Sequence, residues 1–166
     1  MKLFLLLATT LGLTAADSAP PTVRVEVFSD FQCPFCASFA QPVHQLQAQG
    51  AAGVKVAVTF RHFPLPFHAD APLAHQAAIA AGLQGRFWEM HDLLFANANA
   101  LKRNHLLEYA GKLGLDAARF AKDLESDVVK QAVAADRAEG AKRNVNGTPT
   151  FFVNGKSYSG AKTLEQ

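Results

Sequence analysis

Both cysteines of the chain lie within one stretch, Phe28-Ser29-Asp30-Phe31-Gln32-Cys33-Pro34-Phe35-Cys36, and this stretch constrains the fold more than any other. A β-branched run precedes it, and Pro34 stands where a helix would begin. Residues i and i+3 of a helix lie about 5–6 Å apart, within the Cα separation that a disulfide requires. Such a pair can open and close with little backbone movement. A strand must deliver the chain to this point and a helix must carry it away.

The flanking sequence supplies both. Val23–Phe28 alternates and reads as a strand. Cys33 and Pro34 open a helix at positions where a missing N–H costs nothing. Phe35, Phe39, Val43 and Leu46 form its apolar stripe, Gly50 and Gly53 end it, and Pro42 in its interior predicts a kink. Val54–Phe60 reads as a second strand, so strand, helix and strand predict a right-handed parallel βαβ unit.

The loop His62-Phe63-Pro64-Leu65-Pro66-Phe67-His68 is unusually apolar, and from Asp70 to about Asn144 the pattern is helical. Ala71–Leu83 is Ala-rich. Phe87–Phe95 carries Phe87, Met90 and Leu94 on one face and Trp88 and Phe95 on another. Leu106–Leu113 is short, Asp116 caps Ala117–Leu124, and a last helix runs from near Ser126 to about Arg143 with Val129 and Val133 buried. Thr150–Val153 is then a short strand, Asn154-Gly155 a strong hairpin turn and Lys156–Ser159 the partner strand. Six residues follow Gly160, too few for more than about the first turn of a helix.

With 166 residues, 49% hydrophobic and 18% charged, the sequence suits one globular domain and argues against disorder. A formal charge of +2, with Lys102-Arg103 and Lys142-Arg143 as isolated basic pairs, gives no phosphate track and no reason to expect nucleic acid. Glycine-rich phosphate loops and serine-hydrolase signatures are absent from the sequence. At the N-terminus, Lys2 precedes an apolar segment from Leu3 to Leu13, followed by the small residues Thr14-Ala15-Ala16. This is the pattern of a signal peptide, with cleavage after Ala16 or, second, after Ser18. The apolar run is short for a transmembrane helix, and an uncleaved anchor is the alternative. The expected division is residues 1–16 as leader, 17–22 as a Pro-containing linker and 23–166 as the domain, in a periplasmic or otherwise extracytoplasmic compartment. A cysteine pair can persist oxidised there.

Cys33 stands at a helix N-terminus, an exposed position where unpaired N–H groups and the helix dipole favour an anion. That makes it the candidate nucleophile. Cys36, one turn inside, is the candidate resolving thiol, which attacks a mixed disulfide and releases the product. Two bland readings compete. A merely structural disulfide across so short a loop would stabilise little. Metal binding would need further ligands, and none of the six histidines shows the spacing of a zinc site beside the cysteines. His62, His68, His75 and His91 read most simply as surface or capping residues, and Trp88 as a packing residue. Phe31, Phe35, Phe63, Leu65 and Phe67 could either form an apolar surface around the dithiol or fill the core beneath the loop.

The nine-residue stretch, with Gly147-Thr148-Pro149-Thr150-Phe151-Phe152-Val153-Asn154-Gly155 about 110 residues later, resembles the DsbA-like thioredoxin-fold oxidoreductases. Phe87-Trp88-Glu89-Met90-His91-Asp92-Leu93-Leu94-Phe95 looks like that family's helical insertion. The resemblance implies an α/β thioredoxin fold interrupted by a helical subdomain at about 70–144, and thiol–disulfide exchange with cysteine-containing exported proteins. It implies a cis Pro149 packed beside the cysteines, with Thr148 offering backbone groups to an extended substrate. Phe31 and Phe35 join Thr148 as expected substrate contacts. No dissociable cofactor is needed, because the dithiol carries two electrons, but a redox partner must reset it.

Three departures matter. Many relatives carry a glutamate six residues before the first cysteine, where this chain has Val27; Glu26 is one residue earlier and should face the other side of the sheet. Asp30 could substitute but has the look of a loop or cap residue. Strongly oxidising relatives often have Pro-His between the cysteines, and Phe35 offers neither charge nor a side-chain donor. The direction of electron flow stays open. The final helix expected of a thioredoxin fold also looks truncated, which would leave one sheet face in need of cover. The expected function is an exported thiol:disulfide oxidoreductase. Its rival is a non-enzymatic metal-binding or metal-handling protein using Cys33, Cys36 and a histidine.

Overall fold

The structure is a computed structural model, and it describes residues 22–51 and 53–161. The expected leader and almost all of the linker, and the residues after Ala161, lie outside the described residues. The first strand, β1 (Thr22–Ser29), leads through a short turn into α1 (Pro34–Gln49), and β2 (Lys55–His62) returns parallel to β1 with Val23 opposite Val56 and Val27 opposite Phe60. Five helices follow: α2 (Ala71–Gly82), α3 (Phe87–Ala96), α4 (Arg103–Lys112), α5 (Ala117–Leu124) and α6 (Asp127–Lys142). The chain then re-enters the sheet as β3 (Thr150–Val153), antiparallel to β1, and ends the described fold in β4 (Lys156–Ser159). The strand order is β2-β1-β3-β4. This mixed α/β architecture is the thioredoxin fold with a helical insertion that the motifs imply.

Each boundary has a local cause. Pro34 occupies the first turn of α1, where its fixed φ suits a helix start. Asp116 and Ser126 cap α5 and α6 by accepting hydrogen bonds from the Arg119 and Val129 N–H groups. Asn154 and Gly155 both take positive φ, 47° and 88°, as a type I′ hairpin requires. Pro42, where a kink is expected, lies inside α1, which runs through it without a break. A mid-helix proline removes one backbone hydrogen bond, and the apolar stripe of Phe39, Ala40 and Val43, buried on either side, holds the helix together.

Three apolar clusters form the core, two of them on opposite sides of β1. Val25 and Val27 point to the α1 side, where they pack with Phe39, Val43 and Phe151. The larger core joins the dithiol turn to the helical block through Phe31, Cys36, Met90, Leu94, Phe95, Leu106 and Phe120. On the opposite side of the sheet, Phe28 packs with Val145, Phe152 and Phe63. Gly140 of α6 permits this close approach, since a Cβ there would lie 2.6 Å from the Phe63 ring and 3.1 Å from the Phe28 ring.

Candidate active site

The strand β1 ends at the carboxyl edge of the sheet, and the turn that follows presents Cys33 as the N-cap of α1. The Cys33 N–H donates to the Asp30 carbonyl at 3.1 Å, which fixes the turn. Its protonated Sγ donates to the Thr148 carbonyl at 3.4 Å, across a separation of 115 residues. The Thr148–Pro149 peptide is cis, as the resemblance implies, and Pro149 is buried on the cavity wall beside Cys36. Gly147-Thr148-Pro149 therefore forms the second wall of the dithiol site. One expectation is corrected here. Cys33 is only 4% exposed, so the helix start does not leave its thiol open; the cis-proline loop shields it.

The two sulfurs sit three residues apart yet have opposite acidities. The thiol of Cys36 donates to Cys33, and this is the main stabilisation of a Cys33 thiolate; burial opposes it, and the Thr148 side chain with the N–H groups of Cys36 and Phe35 adds to it. The net result lowers the Cys33 pKa from 9.0 to about 5. Phe35 thus contributes through its backbone what its side chain cannot. Burial drives the Cys36 thiol strongly upward, and its hydrogen bond to Cys33 raises it further. Cys36 is 2% exposed and accepts from the Asp30 N–H at 3.4 Å. Both cysteines are free thiols in this structure. An ionised outer sulfur and a protonated inner one form the arrangement needed for attack followed by resolution.

Asp30 is wholly buried behind the dithiol. Its carboxylate accepts from the Gln32 N–H at 2.7 Å, from the Leu65 N–H at 2.6 Å and from His68 Nδ1 at 2.9 Å. These contacts tie the dithiol turn to the Pro-rich loop, so Asp30 is a loop-fixing residue, in keeping with its bland reading. Glu26 faces away from the cysteines, as alternation demands, and binds Arg61 and Arg143 at 2.9 Å each.

The aromatic residues divide. Phe35 and Phe67 are exposed, at 67% and 74%, and Phe35 lies two residues from Cys33 at the start of α1. Phe31 is wholly buried, stacked on Phe60 at 5.3 Å between ring centroids and packed against His75 and Phe95. Its expected role as a substrate contact is therefore corrected: it is the apolar floor under the turn. Three histidine assignments are also corrected. His62, His75 and His91 are buried, not superficial, and His62 Nδ1 meets His75 Nδ1 at 2.8 Å. Burial holds His62 at a pKa of about 3 and His75 well below its usual value, so both are neutral. Their apolar helix and strand contexts could have signalled burial, since His75 lies amid an alanine run and His91 between Phe87 and Leu94 on one helical face. Among the described residues, no group of three or more His, Cys, Asp or Glu side chains converges as a metal site. The metal-binding rival thus lacks the ligand set it requires.

A family model described as a DSBA-like thioredoxin domain matches residues 24–166. Among solved structures, a thioredoxin-like oxidoreductase from Silicibacter pomeroyi is similar with a TM-score of 0.74 and 28% identity, covering 86% of this chain and 80% of that one. The thiol-disulfide exchange protein alpha-DsbA2 from Wolbachia pipientis shares the fold with a TM-score of 0.77 at 20% identity, covering 86% and 76%. Among curated proteins, the Na(+)/H(+) antiporter NhaA 3 of Salinispora tropica is 41% identical over 144 residues, which cover 86% of this chain and 22% of that protein. The antiporter NhaA of Herminiimonas arsenicoxydans is 39% identical over 134 residues, covering 81% and 21%. The chain thus spans about a fifth of the length of the curated relatives it matches.

Proposed function

The chain belongs to the DSBA-like thioredoxin domain family, and on that premise we propose that it is an exported thiol:disulfide oxidoreductase acting on cysteine-containing proteins through the Cys33–Cys36 dithiol. The observation that carries this reading is the opposite tuning of two adjacent sulfurs, Cys33 down to about 5 and Cys36 strongly up. In the forward exchange the Cys33 thiolate attacks a substrate disulfide, forms a mixed disulfide and expels a substrate thiolate. Cys36 then loses its proton and attacks Cys33 Sγ, closing the intramolecular disulfide and releasing the second substrate thiolate. The reverse sequence oxidises a substrate dithiol. Pro149 shapes the cleft, the Thr148 backbone pairs with an extended substrate, and the exposed Phe35 side chain adds apolar contact.

The sense of electron flow follows from the thiolate. A stabilised thiolate stabilises the reduced form and makes the pair a better oxidant. A Cys33 pKa of about 5 falls between roughly 7 for thioredoxin and roughly 3.5 for DsbA. We therefore place the reduction potential above thioredoxin's value of about −270 mV and toward DsbA's value of about −120 mV. Equilibration with glutathione measures it, and a value at or below thioredoxin's rejects the oxidising assignment.

The leader sequence at residues 1–16 supports export, with 17–22 as linker and 23–166 as the working domain, and with a separate redox partner restoring the dithiol. Ion transport is not assigned to this chain, because the match covers 22% of the antiporter relatives and no helix among the described residues is long and apolar enough to cross a membrane. Trapping tests the roles. Cys36→Ser should accumulate mixed disulfides with exported proteins, and Cys33→Ser should accumulate none; equal trapping by both rejects the assignment. Stoichiometric zinc or copper in the reduced protein, lost in Cys36→Ser, would instead favour the metal-binding rival.

A further inference from the structure

Whichever way electrons flow, the proton of Cys36 has to leave or arrive during each turnover. The sulfur is 2% exposed, and the adjacent sheet position holds Val27, which offers no proton acceptor. Behind Cys36 lies a small cavity of about 10 Å³, lined by Val27, Ser29, Cys36, Phe60, His91 and Pro149 among others. That is roughly the space one water needs, and a buried water is held by two to four polar groups; Ser29, Cys36 and His91 are of that kind. His91 lies on α3, a different element from either cysteine, and is 1% exposed.

The His91 ring is oriented from its other edge. Its Nδ1 lies 2.9 Å from Asp92 Oδ1, and Asp92 Oδ2 lies 2.7 Å from His44 Nδ1 on α1. Burial works against ionisation of Asp92, but hydrogen bonds from His91 and His44 outweigh it and hold the carboxyl below its usual range. An ionised carboxylate only accepts hydrogen bonds, so His91 Nδ1 carries the proton and Nε2 the lone pair. His44 braces the carboxylate from the other side: its side chain is 33% exposed and stacks on Trp88 at 5.3 Å between centroids with a 12° interplanar angle.

We propose that His91 is the proton relay for Cys36, with Asp92 as its positioning residue. This rests on the exchange reading given above. In the resolving step the Cys36 S–H proton passes, directly or through one water in the cavity, to His91 Nε2. The Cys36 electron pair attacks Cys33 Sγ, the Cys33–substrate S–S bond breaks, and the substrate sulfur departs as a thiolate. The imidazolium formed is stabilised by Asp92 and then loses its proton to solvent. In the opposite direction His91 returns the proton to the Cys36 thiolate. The geometry is that of an acid–base pair with a carboxylate orienter. It supplies, from the helical block, what a carboxylate at position 27 could have supplied from the sheet. The groups around the ring are Asp92 on its own helix, Cys36 and His44 from α1, His62 from β2, and His75 from α2 beyond Phe31.

The test separates the two sulfurs in time. Reduced protein is mixed with glutathione disulfide across pH, and formation and resolution of the glutathionyl mixed disulfide are followed by rapid acid quench and mass spectrometry. His91→Gln should slow resolution about 100-fold, the low end of acid–base catalysis, and remove its inflection with pH, with mixed-disulfide formation by Cys33 as the internal reference. Asp92→Asn, at a partly exposed position, should slow resolution by a smaller factor through the wrong tautomer. Val27→Glu in the His91→Gln background should restore resolution, because the carboxylate faces the same cavity. Resolution within twofold of the parent in both single variants, with an unchanged pH profile, overturns the relay. If His91→Gln does not fold, the Asp92→Asn profile alone decides. Failure of the unmodified protein to form any mixed disulfide would reject the exchange reading, a different outcome.

Discussion

The two faces of β1 differ in charge although they alternate along eight residues of one strand. On one face Val25 and Val27 meet α1 in an uncharged core that reaches the dithiol. On the other, Glu26 is held between Arg61 and Arg143, Arg61 also binds Asp136 of α6 at 3.0 Å, and the Arg143 guanidinium lies 3.6 Å from the Phe152 ring centroid. The comparison shows that charge is kept off the side where Cys36 must stay protonated and is concentrated where it ties α6 to the sheet. A single step in strand phase separates an ion-paired glutamate from a site for proton transfer. The apolar face therefore depends on a histidine from another element for any acid–base chemistry.

The largest effect should come from the floor of the apolar side. Phe31→Ala empties a fully buried aromatic site and should cost about 3–5 kcal/mol, read as a lower midpoint in urea. A loss below about 1 kcal/mol would mean that the helical block does not rest on this ring. Next comes the charged side. Glu26→Gln should cost about 1–3 kcal/mol while leaving the Cys33 thiolate titration unmoved, because the two lie on opposite faces. A shifted titration would break the separation between the faces.

That same carboxyl gives a pH dependence. Burial opposes ionisation of Glu26, but Arg61 and Arg143 hold its pKa below 4.5. A group depressed on folding adds stability that is present above its unfolded pKa and lost as pH falls through the folded one. Stability should therefore decline below about pH 4.5, less steeply in Glu26→Gln. The smallest effect belongs to Phe35. Being 67% exposed, its replacement by alanine should change stability by less than about 0.5 kcal/mol, yet slow exchange with an unfolded protein more than exchange with glutathione. Equal slowing of both would remove it from the substrate surface.

Much of this was legible in the sequence, for identifiable reasons. The strand and helix periods, the Asp116 and Ser126 caps and the Asn154-Gly155 turn are local signals, and the elements formed where those signals lie. Glu26 and Val27 were assigned to their faces by alternation alone. What local patterns did not convey is which distant side chains converge. Cys33 looked open because a helix start is usually open, and the loop that covers it comes from residues 147–149. Phe31 looked equally suited to surface and core, because only the arrival of α2 and α3 over the turn decides it. His44 and His91 are 47 positions apart in sequence and share Asp92 only because α3 packs on α1. No spacing rule links them, which is why His91 reads from sequence as a surface or capping residue.

The asymmetry of the two sulfurs is the central claim, and one titration addresses it. Thiolate absorbance of the reduced protein, followed with pH and paired with the alkylation rate at each cysteine, should show a single ionisation near pH 5. Alkylation should fall on Cys33 alone, with Cys36 remaining protonated through the accessible range. An inflection near the ordinary thiol value of 9.0, or Cys36 reacting first, would contradict the account.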